Sequence, residues 1–325
     1  MMRPLRLDRI KNWIFVTGVI RSGTTFVGKV LSLPLEVDYI HEPFNGGRTR
    51  PEGELLQACY IRPDDESEAT RQVRNQLDKL LALEIDLNTS ITPLDPWWIK
   101  RVKKVLGSRG PLNLRLARLN PFHTSVVIKD PVGSLLAEYL YVHYDIVPVV
   151  VVRHPLSFLA SLQRVGWWPD INGFAGQPNL LADYFSGEEA WFDTDWSSLR
   201  AQSAARWRAS YKVLLSQAQR YPDWVVVTHE SICAKPLESF RELYRRLSLP
   251  WSASVERRIR KLTQGKTLRS RSGRAMDLKR DSAAISRESK TELSVEDRRE
   301  IFDIVKDVAL ELYDVESFGL EALSA

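Results

Sequence analysis

The sequence is poor in cysteine, in histidine and in long apolar segments. Of its 325 residues, 2 are cysteine (Cys59 and Cys233) and 5 are histidine. Neither cysteine lies in a metal-ligand spacing, and two cannot build a disulfide framework. The longest apolar run, Ile146–Val152, has seven residues and contains a proline, whereas a membrane-spanning helix needs about 20. The sequence therefore predicts no metal site and no integral membrane segment.

Charge of either sign is not in large excess. There are 46 Lys and Arg against 41 Asp and Glu, a net charge of +5, and 44% of the residues are hydrophobic. This composition excludes a disordered or fibrous chain. The mild basic excess suits a phosphorylated ligand but is too weak and dispersed to indicate nucleic acid. The basic N-terminus before residue 13 resembles a weak signal peptide, but its apolar run is short and has no cleavage site, so we expect a cytoplasmic protein.

Apolar, β-rich runs alternate with helix-length segments along the chain. Their uninterrupted apolarity is typical of strands buried on both faces, as in a parallel sheet. Strands are predicted at 13–17, 37–40, 125–129, 146–152 and 224–228, and helices at 24–33, 132–143, 156–165 and 236–247. The fold class is thus α/β: a doubly wound, mostly parallel sheet flanked by helices, in a single domain over 1–325. Segments around 46–120 and 166–200 do not follow this alternation of strands and helices. They are predicted as insertions at the carboxyl ends of the strands, where such sheets bind ligands.

A turn of small residues at 18–25 follows the first strand and opens the first helix. Gly18, Ser22 and Gly23 allow backbone N–H groups to converge at a helix N-terminus, which binds phosphate. The P-loop of ATPases and GTPases has Lys where this chain has Thr24. The absence of this lysine argues against an ATPase or GTPase and favours a ligand that has a single phosphate at this point. A plain tight turn is the alternative.

A second anion site is indicated at the end of the 146–152 strand. Arg153 ends that strand, and Ser161 lies eight residues later, a little over two helical turns into the next helix. A guanidinium and a hydroxyl could there meet on one side of a second phosphate. We expect this site to lie away from Arg21. The alternative is that Arg153 forms an ion pair at the protein surface.

The two motifs together resemble those of sulfotransferases that use 3′-phosphoadenosine 5′-phosphosulfate (PAPS). In that family the loop is a basic residue, Ser or Thr, Gly and two more Ser or Thr, which matches Arg21, Ser22, Gly23, Thr24 and Thr25. The family's 3′-phosphate site is an Arg with a Ser eight residues later, which matches Arg153 and Ser161. The resemblance covers 12–45, 124–165 and 205–300 and is absent from 46–120 and 166–200. It implies a P-loop-like sulfotransferase fold with PAPS as cofactor and no metal.

The resemblance also implies catalytic roles. Arg21 and Lys129 would supply positive charge where the leaving oxygen becomes negative. Small-molecule sulfotransferases carry a lysine matching Lys129 and a catalytic His two positions later, but this chain has Pro131 there. Carbohydrate-type members carry a catalytic Glu at a place that matches Glu42.

Two other residues remain alternatives to Glu42 as the base. His41 is adjacent to it, and Asp130 follows Lys129. Neighbours on a strand point to opposite faces, so we expect only one of His41 and Glu42 to face the cofactor.

The resemblance further implies that His229 contacts adenine and that Arg271, in a basic loop at 269–273, contacts the 3′-phosphate.

The resemblance thus predicts a sulfotransferase that moves the sulfuryl group of PAPS to a hydroxyl of a carbohydrate or glycoconjugate. We expect a small-molecule or glycan acceptor and no nucleic-acid partner. An ATP-dependent P-loop kinase and a non-catalytic nucleotide-binding protein are the alternatives. The sequence leaves the oligomeric state open.

Overall fold

Five parallel strands form the centre of the structure. The computed structural model describes residues 7–45, 59–89, 91, 95–169, 171–196, 198–263 and 293–320. The strands are β1 (Asn12–Thr17), β2 (Val37–His41), β3 (Ser125–Lys129), β4 (Ile146–Val152) and β5 (Val225–Thr228). They lie in the order β2-β3-β1-β4-β5, and every pair is parallel. The predicted α/β class with a mostly parallel sheet is therefore confirmed.

Helices follow or separate these strands. They are α1 (Thr24–Leu31), α2 (Glu68–Leu81), α3 (Trp97–Leu106), α4 (Arg109–Leu119), α5 (Ala137–Tyr144), α6 (Pro155–Gln163), α7 (Asn172–Ala175), α8 (Pro178–Tyr184), α9 (Leu199–Arg220), α10 (His229–Ala234), α11 (Pro236–Arg246), α12 (Ala253–Thr263) and α13 (Val295–Ala309). The segment around 46–120 thus contains α2–α4, and the segment around 166–200 contains α7 and α8. None of the described helices has the length and apolarity that crossing a membrane would require.

The sheet is buried on both faces because successive side chains of a strand point to opposite sides. In β1, Ile14 and Val16 pack with α1, α11 and α12, whereas Phe15 packs with α6, α9 and α13 on the other face. Strands covered in this way need apolar residues at every position, which is why the apolar runs are uninterrupted.

Several element boundaries differ from the prediction by one or two residues or more, and for two of them a polar side chain explains the difference. Helix α1 ends at Leu31 rather than residue 33, since Ser32 turns its hydroxyl back to the carbonyl of Gly28 at 2.8 Å. The predicted helix at 132–143 begins only at Ala137, after a 3₁₀ turn. Asp130 holds the preceding segment by accepting a hydrogen bond from Val132 N at 2.8 Å.

Candidate functional site

The turn between β1 and α1 has a backbone shape that favours glycine. Gly18 and Gly23 have φ of 141° and 100°. A Cβ on Gly18 would lie 2.3 Å from the carbonyl oxygen of Val151, and one on Gly23 would lie 2.5 Å from His229 Cδ2. Both glycines are therefore required by positive φ and by close neighbours.

The N-terminus of α1 opens from this turn with its first N–H groups available. Gly23 is the N-cap, and no described side chain caps the helix. The carbonyl of Gly23 accepts from Phe26 N and Val27 N, which leaves the amides of Thr24 and Thr25 at the helix start. Uncapped amides and the helix dipole together attract an anion.

Helix α9 supports the turn from behind. The Tyr211 hydroxyl donates to the carbonyl of Val151 at 2.8 Å and accepts from Val19 N at 3.3 Å. One turn earlier, Trp207 Nε1 donates to the carbonyl of Arg153 at 2.8 Å. Sequence analysis missed both aromatic residues, although their spacing of four places them on one face of a helix.

Arg21 joins the two sites that the sequence predicts to be separate. Its Nε donates to Ser161 Oγ at 3.1 Å, and its carbonyl accepts from Arg153 Nη1 at 2.9 Å. The guanidinium also lies over the ring of Trp167, 5.9 Å from its centre. Arg21 can make these contacts because its φ is 68°, which turns the loop towards α6. The expected distance between Arg21 and the Arg153–Ser161 pair is therefore wrong, since Arg153 and Ser161 each donate to or accept from Arg21.

Arg153 is a buried cation with unused hydrogen-bonding capacity. Its side chain is buried, and Nε has no partner within the described residues. Burial lowers the pKa of this guanidinium to about 10, and the neighbouring Glu230 carboxylate opposes that effect. An unsatisfied buried N–H costs about 1–3 kcal/mol, more when the group is charged. Such a group fits an anionic ligand, which supplies both the acceptor and the counter-charge.

Glu230 ties the surroundings of Arg153 to the C-terminal part of the described chain. Its Oε1 accepts from His154 N at 3.1 Å, and its Oε2 accepts from the Tyr313 hydroxyl at 3.0 Å. His154 Nε2 lies 3.0 Å from Ser317 Oγ. Nothing in the sequence patterns pointed to these contacts, because they join positions up to 163 residues apart.

Glu42 and Lys129 form a buried ion pair at the neighbouring strand ends. In the register of β2 and β3, His41 lies beside Lys129. Lys129 Nζ donates to Glu42 Oε1, and Asn45 Nδ2 donates to Glu42 Oε2 at 3.3 Å. The Glu42 side chain is 10% exposed and the Lys129 side chain is 2% exposed. The site thus holds a carboxylate beside a cation, next to the β1 turn.

His41 lies close to Glu42, contrary to the expectation that the two neighbours face opposite ways. Strand β2 ends at His41, and Glu42 has φ of 52°, so the alternation of a strand no longer applies to it. His41 Nε2 is 3.9 Å from Glu42 Oε1, and Nδ1 is 2.9 Å from the Tyr39 hydroxyl.

Asp130, the third base considered, shapes the backbone of this region. Its carboxylate accepts from Phe44 N at 2.6 Å and from Val132 N at 2.8 Å. Burial, and then the charge of Glu42, raise the pKa of Asp130 to about 7. Its oxygens hold the 42–45 turn in place, which is a structural task.

His229 lies beneath the turn at Gly23. Burial, together with the charge of Arg153, lowers the pKa of its imidazole to about 3, so the ring is neutral at pH 7. Its position against Gly23 makes it a support for the loop.

Arg271 lies outside the described residues, as does the whole basic loop at 269–273. In the part of the chain that the structure describes, no group of three or more His, Cys, Asp and Glu side chains could hold a metal ion.

The comparisons with known proteins give structural neighbours but no sequence family. No family model matches the chain, and neither does any curated protein. The chain is similar to the sulfotransferase domain from the curacin biosynthetic pathway (14% identity, 93% of this chain and 98% of that one, TM-score 0.48). It is also similar to the sulfotransferase domain of the Synechococcus olefin synthase (14%, 94% and 96%, TM-score 0.44) and to sulfotransferase STF9 from Mycobacterium avium (16%, 87% and 76%, TM-score 0.42). Since each TM-score is below 0.5, no claim about function rests on these likenesses.

Proposed function

We propose that this chain is a sulfotransferase that moves the sulfuryl group of PAPS to a hydroxyl of a carbohydrate or glycoconjugate. The proposal rests above all on the meeting of Arg21, Arg153 and Ser161 beside the uncapped start of α1. These are the residues whose pattern resembles the two PAPS motifs. A loop that binds one phosphate and has no Walker lysine suits this donor better than ATP.

The residues at the site fit the donor's two phosphate positions. The amides of Thr24 and Thr25, with Ser22, would hold the 5′-phosphosulfate at the start of α1. Arg153, through its unpartnered Nε, and Ser161 would hold the 3′-phosphate. When bound, PAPS supplies the activated sulfuryl group. Arg21 and Lys129 place two positive charges next to the loop, where they stabilise negative charge that develops during transfer.

Glu42 is the proposed base. Lys129 Nζ donates to Oε1, and Asn45 Nδ2 donates to Oε2 over a longer distance of 3.3 Å. A carboxylate oxygen has two acceptor positions, so Oε2 can accept a further hydrogen bond from an acceptor hydroxyl and then its proton. Lys129 stabilises the ionised carboxylate that this step needs.

A cleft near α9 supports a polar, glycan-like acceptor. It has a volume of about 470 Å³ and is lined by Asp193, Asp195, Trp196 and Gln202, among others. Clefts of this size hold small ligands, and carboxylate, amide and indole groups suit sugar hydroxyls and ring faces. Gln202 precedes Trp207, which supports Arg153, by five residues, or about 7.5 Å along the helix.

Nucleotide discrimination tests the proposal. Adenosine 3′,5′-bisphosphate should raise the melting temperature much more than AMP does. Arg153→Ala should remove most of the difference, since a guanidinium–phosphate contact is worth about 1.5–3 kcal/mol, or roughly ten- to a hundredfold in affinity. Ser161→Ala is the milder variant, should Arg153→Ala fold poorly. Arg71→Ala, an exposed arginine on α2, is the control. Equal shifts with both nucleotides on the wild type would refute PAPS as the cofactor.

The assignment of Glu42 is tested by Glu42→Gln. The amide keeps the shape of the side chain but cannot take the acceptor's proton, so kcat should fall by about 10²–10⁴-fold with little change in cofactor affinity. Glu36→Gln, at an exposed position just before β2, should leave kcat unchanged. A Glu42→Gln enzyme that retains more than about a third of the wild-type kcat would transfer the role to His41.

A further inference from the structure

Helices α3 and α4 turn apolar side chains outwards. On α3, Trp98, Val102 and Val105 are between 49% and 73% exposed, and their spacing of four and three residues places them on one face of the helix. On α4, Leu116 and Leu119 are 57% and 47% exposed. They are three residues apart and therefore share one face as well. Each helix thus presents an apolar stripe to the surroundings.

The two stripes meet where the helices join. Arg115 lies one turn before Leu119 on α4, and its Nη1 donates to the carbonyl of Val105 at 3.4 Å. The connection between the helices is tight, since a Cβ on Gly107 would lie 2.8 Å from Pro111 Cβ. Contiguous exposed apolar surface marks sites that meet another protein or a membrane. We call the surface formed by Trp98, Val102, Val105, Leu116 and Leu119 the α3–α4 face.

Positive charge surrounds the α3–α4 face. Residues 97–119 contain seven Lys and Arg and no Asp or Glu, whereas the whole chain has a net charge of +5, so the rest of the chain has a net charge of −2. Arg101 and Lys104 are exposed on α3. Arg101 follows Trp98 by three residues and therefore borders the stripe. Its guanidinium also lies over the ring of Trp97, 5.2 Å from the centre, and Trp97 is itself exposed.

Acidic neighbours of this segment lie away from the face. Asp95 pairs with Lys103 at 2.7 Å, and both side chains are mostly buried against the protein. Arg118, which is half-buried, donates to two backbone carbonyls next to Glu84 and Asp86, at 2.6 and 2.7 Å. These contacts hold two of the seven basic side chains on the protein side of the helices, whereas Arg101 and Lys104 remain on the outside.

The combination of residues decides between possible occupants. A second copy of the chain would bring two segments of the same positive charge together, which is unfavourable. A soluble polyanion would match the charge but would leave the aliphatic side chains of both stripes in water. A bilayer that contains acidic lipids satisfies both features, because its headgroups attract Lys and Arg and its interface accommodates Trp and aliphatic side chains.

We propose that the α3–α4 face docks on an anionic lipid bilayer. Trp98, Val102 and Val105 enter the interfacial region, while Arg101 and Lys104 stay at the level of the lipid phosphates. Docking of this kind is peripheral and needs no helix that crosses the membrane. The proposal is independent of the proposed function, because none of the residues assigned to the donor or to the base takes part.

Vesicle flotation tests the electrostatic part of the proposal. The full chain is mixed with vesicles of phosphatidylcholine alone, or with about one third phosphatidylserine, at about 0.1 M salt. Wild-type protein should bind the acidic vesicles about tenfold or more tightly than the neutral ones, and Arg101→Gln with Lys104→Gln should remove most of that difference. Arg257→Gln with Lys261→Gln, at exposed positions of α12, changes the net charge equally and should leave binding nearly unchanged.

The apolar part is tested with a second pair of substitutions. Trp98→Ser with Val105→Ser should weaken binding to acidic vesicles about tenfold or more, because the apolar area that enters the interface is lost. Val142→Ser, at an exposed position of α5, is the control. Melting temperatures equal to that of the wild type would show that each variant is folded.

Three outcomes would overturn the proposal. The first is equal binding of the wild type to both kinds of vesicle, or binding that neither pair of substitutions on α3 weakens. The second is a dimer, measured by sedimentation equilibrium, that Trp98→Ser with Val105→Ser dissociates while acidic vesicles are not bound; the face would then join two copies. The third is binding of heparin that depends on Arg101 and Lys104 without binding of acidic vesicles, which would assign the face to a soluble polyanion.

Discussion

Gly23→Ala should destabilise the protein through two separable effects. A residue with a Cβ at φ of 100° pays about 1–2 kcal/mol for its left-handed conformation. The new Cβ would also lie 2.5 Å from His229 Cδ2, and overpacking of this kind costs typically about 1–3 kcal/mol. The ring has little room to retreat, since Cys233 Sγ lies 3.7 Å from its Nδ1. The expected loss is about 2–5 kcal/mol, a large part of the roughly 5–15 kcal/mol that stabilises a typical domain.

Urea unfolding can separate the two effects with a matched glycine. Gly166 also has positive φ, at 65°, but no atom lies within 4 Å of its would-be Cβ. Gly166→Ala should therefore cost only the conformational part, about 1–2 kcal/mol. In a His229→Ala background, Gly23→Ala should lose most of its steric cost and give a coupling energy of about 1–3 kcal/mol. Equal costs for Gly23→Ala and Gly166→Ala, or additive effects in the double variant, would refute the close contact with His229.

Two further predictions concern Lys129 and Asp130. Lys129→Ala should lower kcat about tenfold or more while weakening PAPS binding less, because its charge matters most as negative charge develops; an equal loss in both quantities would contradict its catalytic role. Asp130 has a folded-state pKa raised to about 7, so between about pH 4 and 7 the folded state holds a proton that the unfolded state has released. This group therefore lowers the free energy of unfolding as pH rises, by up to about 1.4 kcal/mol per pH unit. Asp130→Asn should flatten that slope in urea unfolding between pH 4.5 and 7, and an unchanged slope would show that the carboxylate titrates elsewhere.

The sheet could be predicted because its signal is local. Strands buried on both faces need continuous apolar runs, such as IVPVVVV at β4, and these runs can be recognised in the sequence without tertiary information. The loop at 18–25 could be recognised for the same reason, since its small residues and the following helix are contiguous. The expectation that Arg153 and Ser161 meet is of the same local kind, because both belong to one strand–helix unit.

The remaining features depend on backbone conformations and contacts that no local pattern encodes. The positive φ of Arg21 joins the loop to Ser161, and that of Glu42 brings His41 beside it. A non-glycine residue rarely adopts such a conformation, and it persists only where surrounding contacts impose it. Asp130 provides one such contact near Glu42, since its carboxylate accepts a hydrogen bond from Phe44 N.

The bridge from Glu230 to Tyr313, and from His154 to Ser317, has a consequence for how tightly any ligand can bind. The residues around Arg153 are complete only in those molecules in which the 313–317 segment is docked. If a fraction f of the molecules has the segment docked, the apparent dissociation constant is the intrinsic one divided by f. Undocking in half of the molecules would thus weaken binding about twofold, and undocking in nine tenths about tenfold. The docked fraction of the 313–317 segment would thus set the apparent dissociation constant without any change in the side chains that face the ligand.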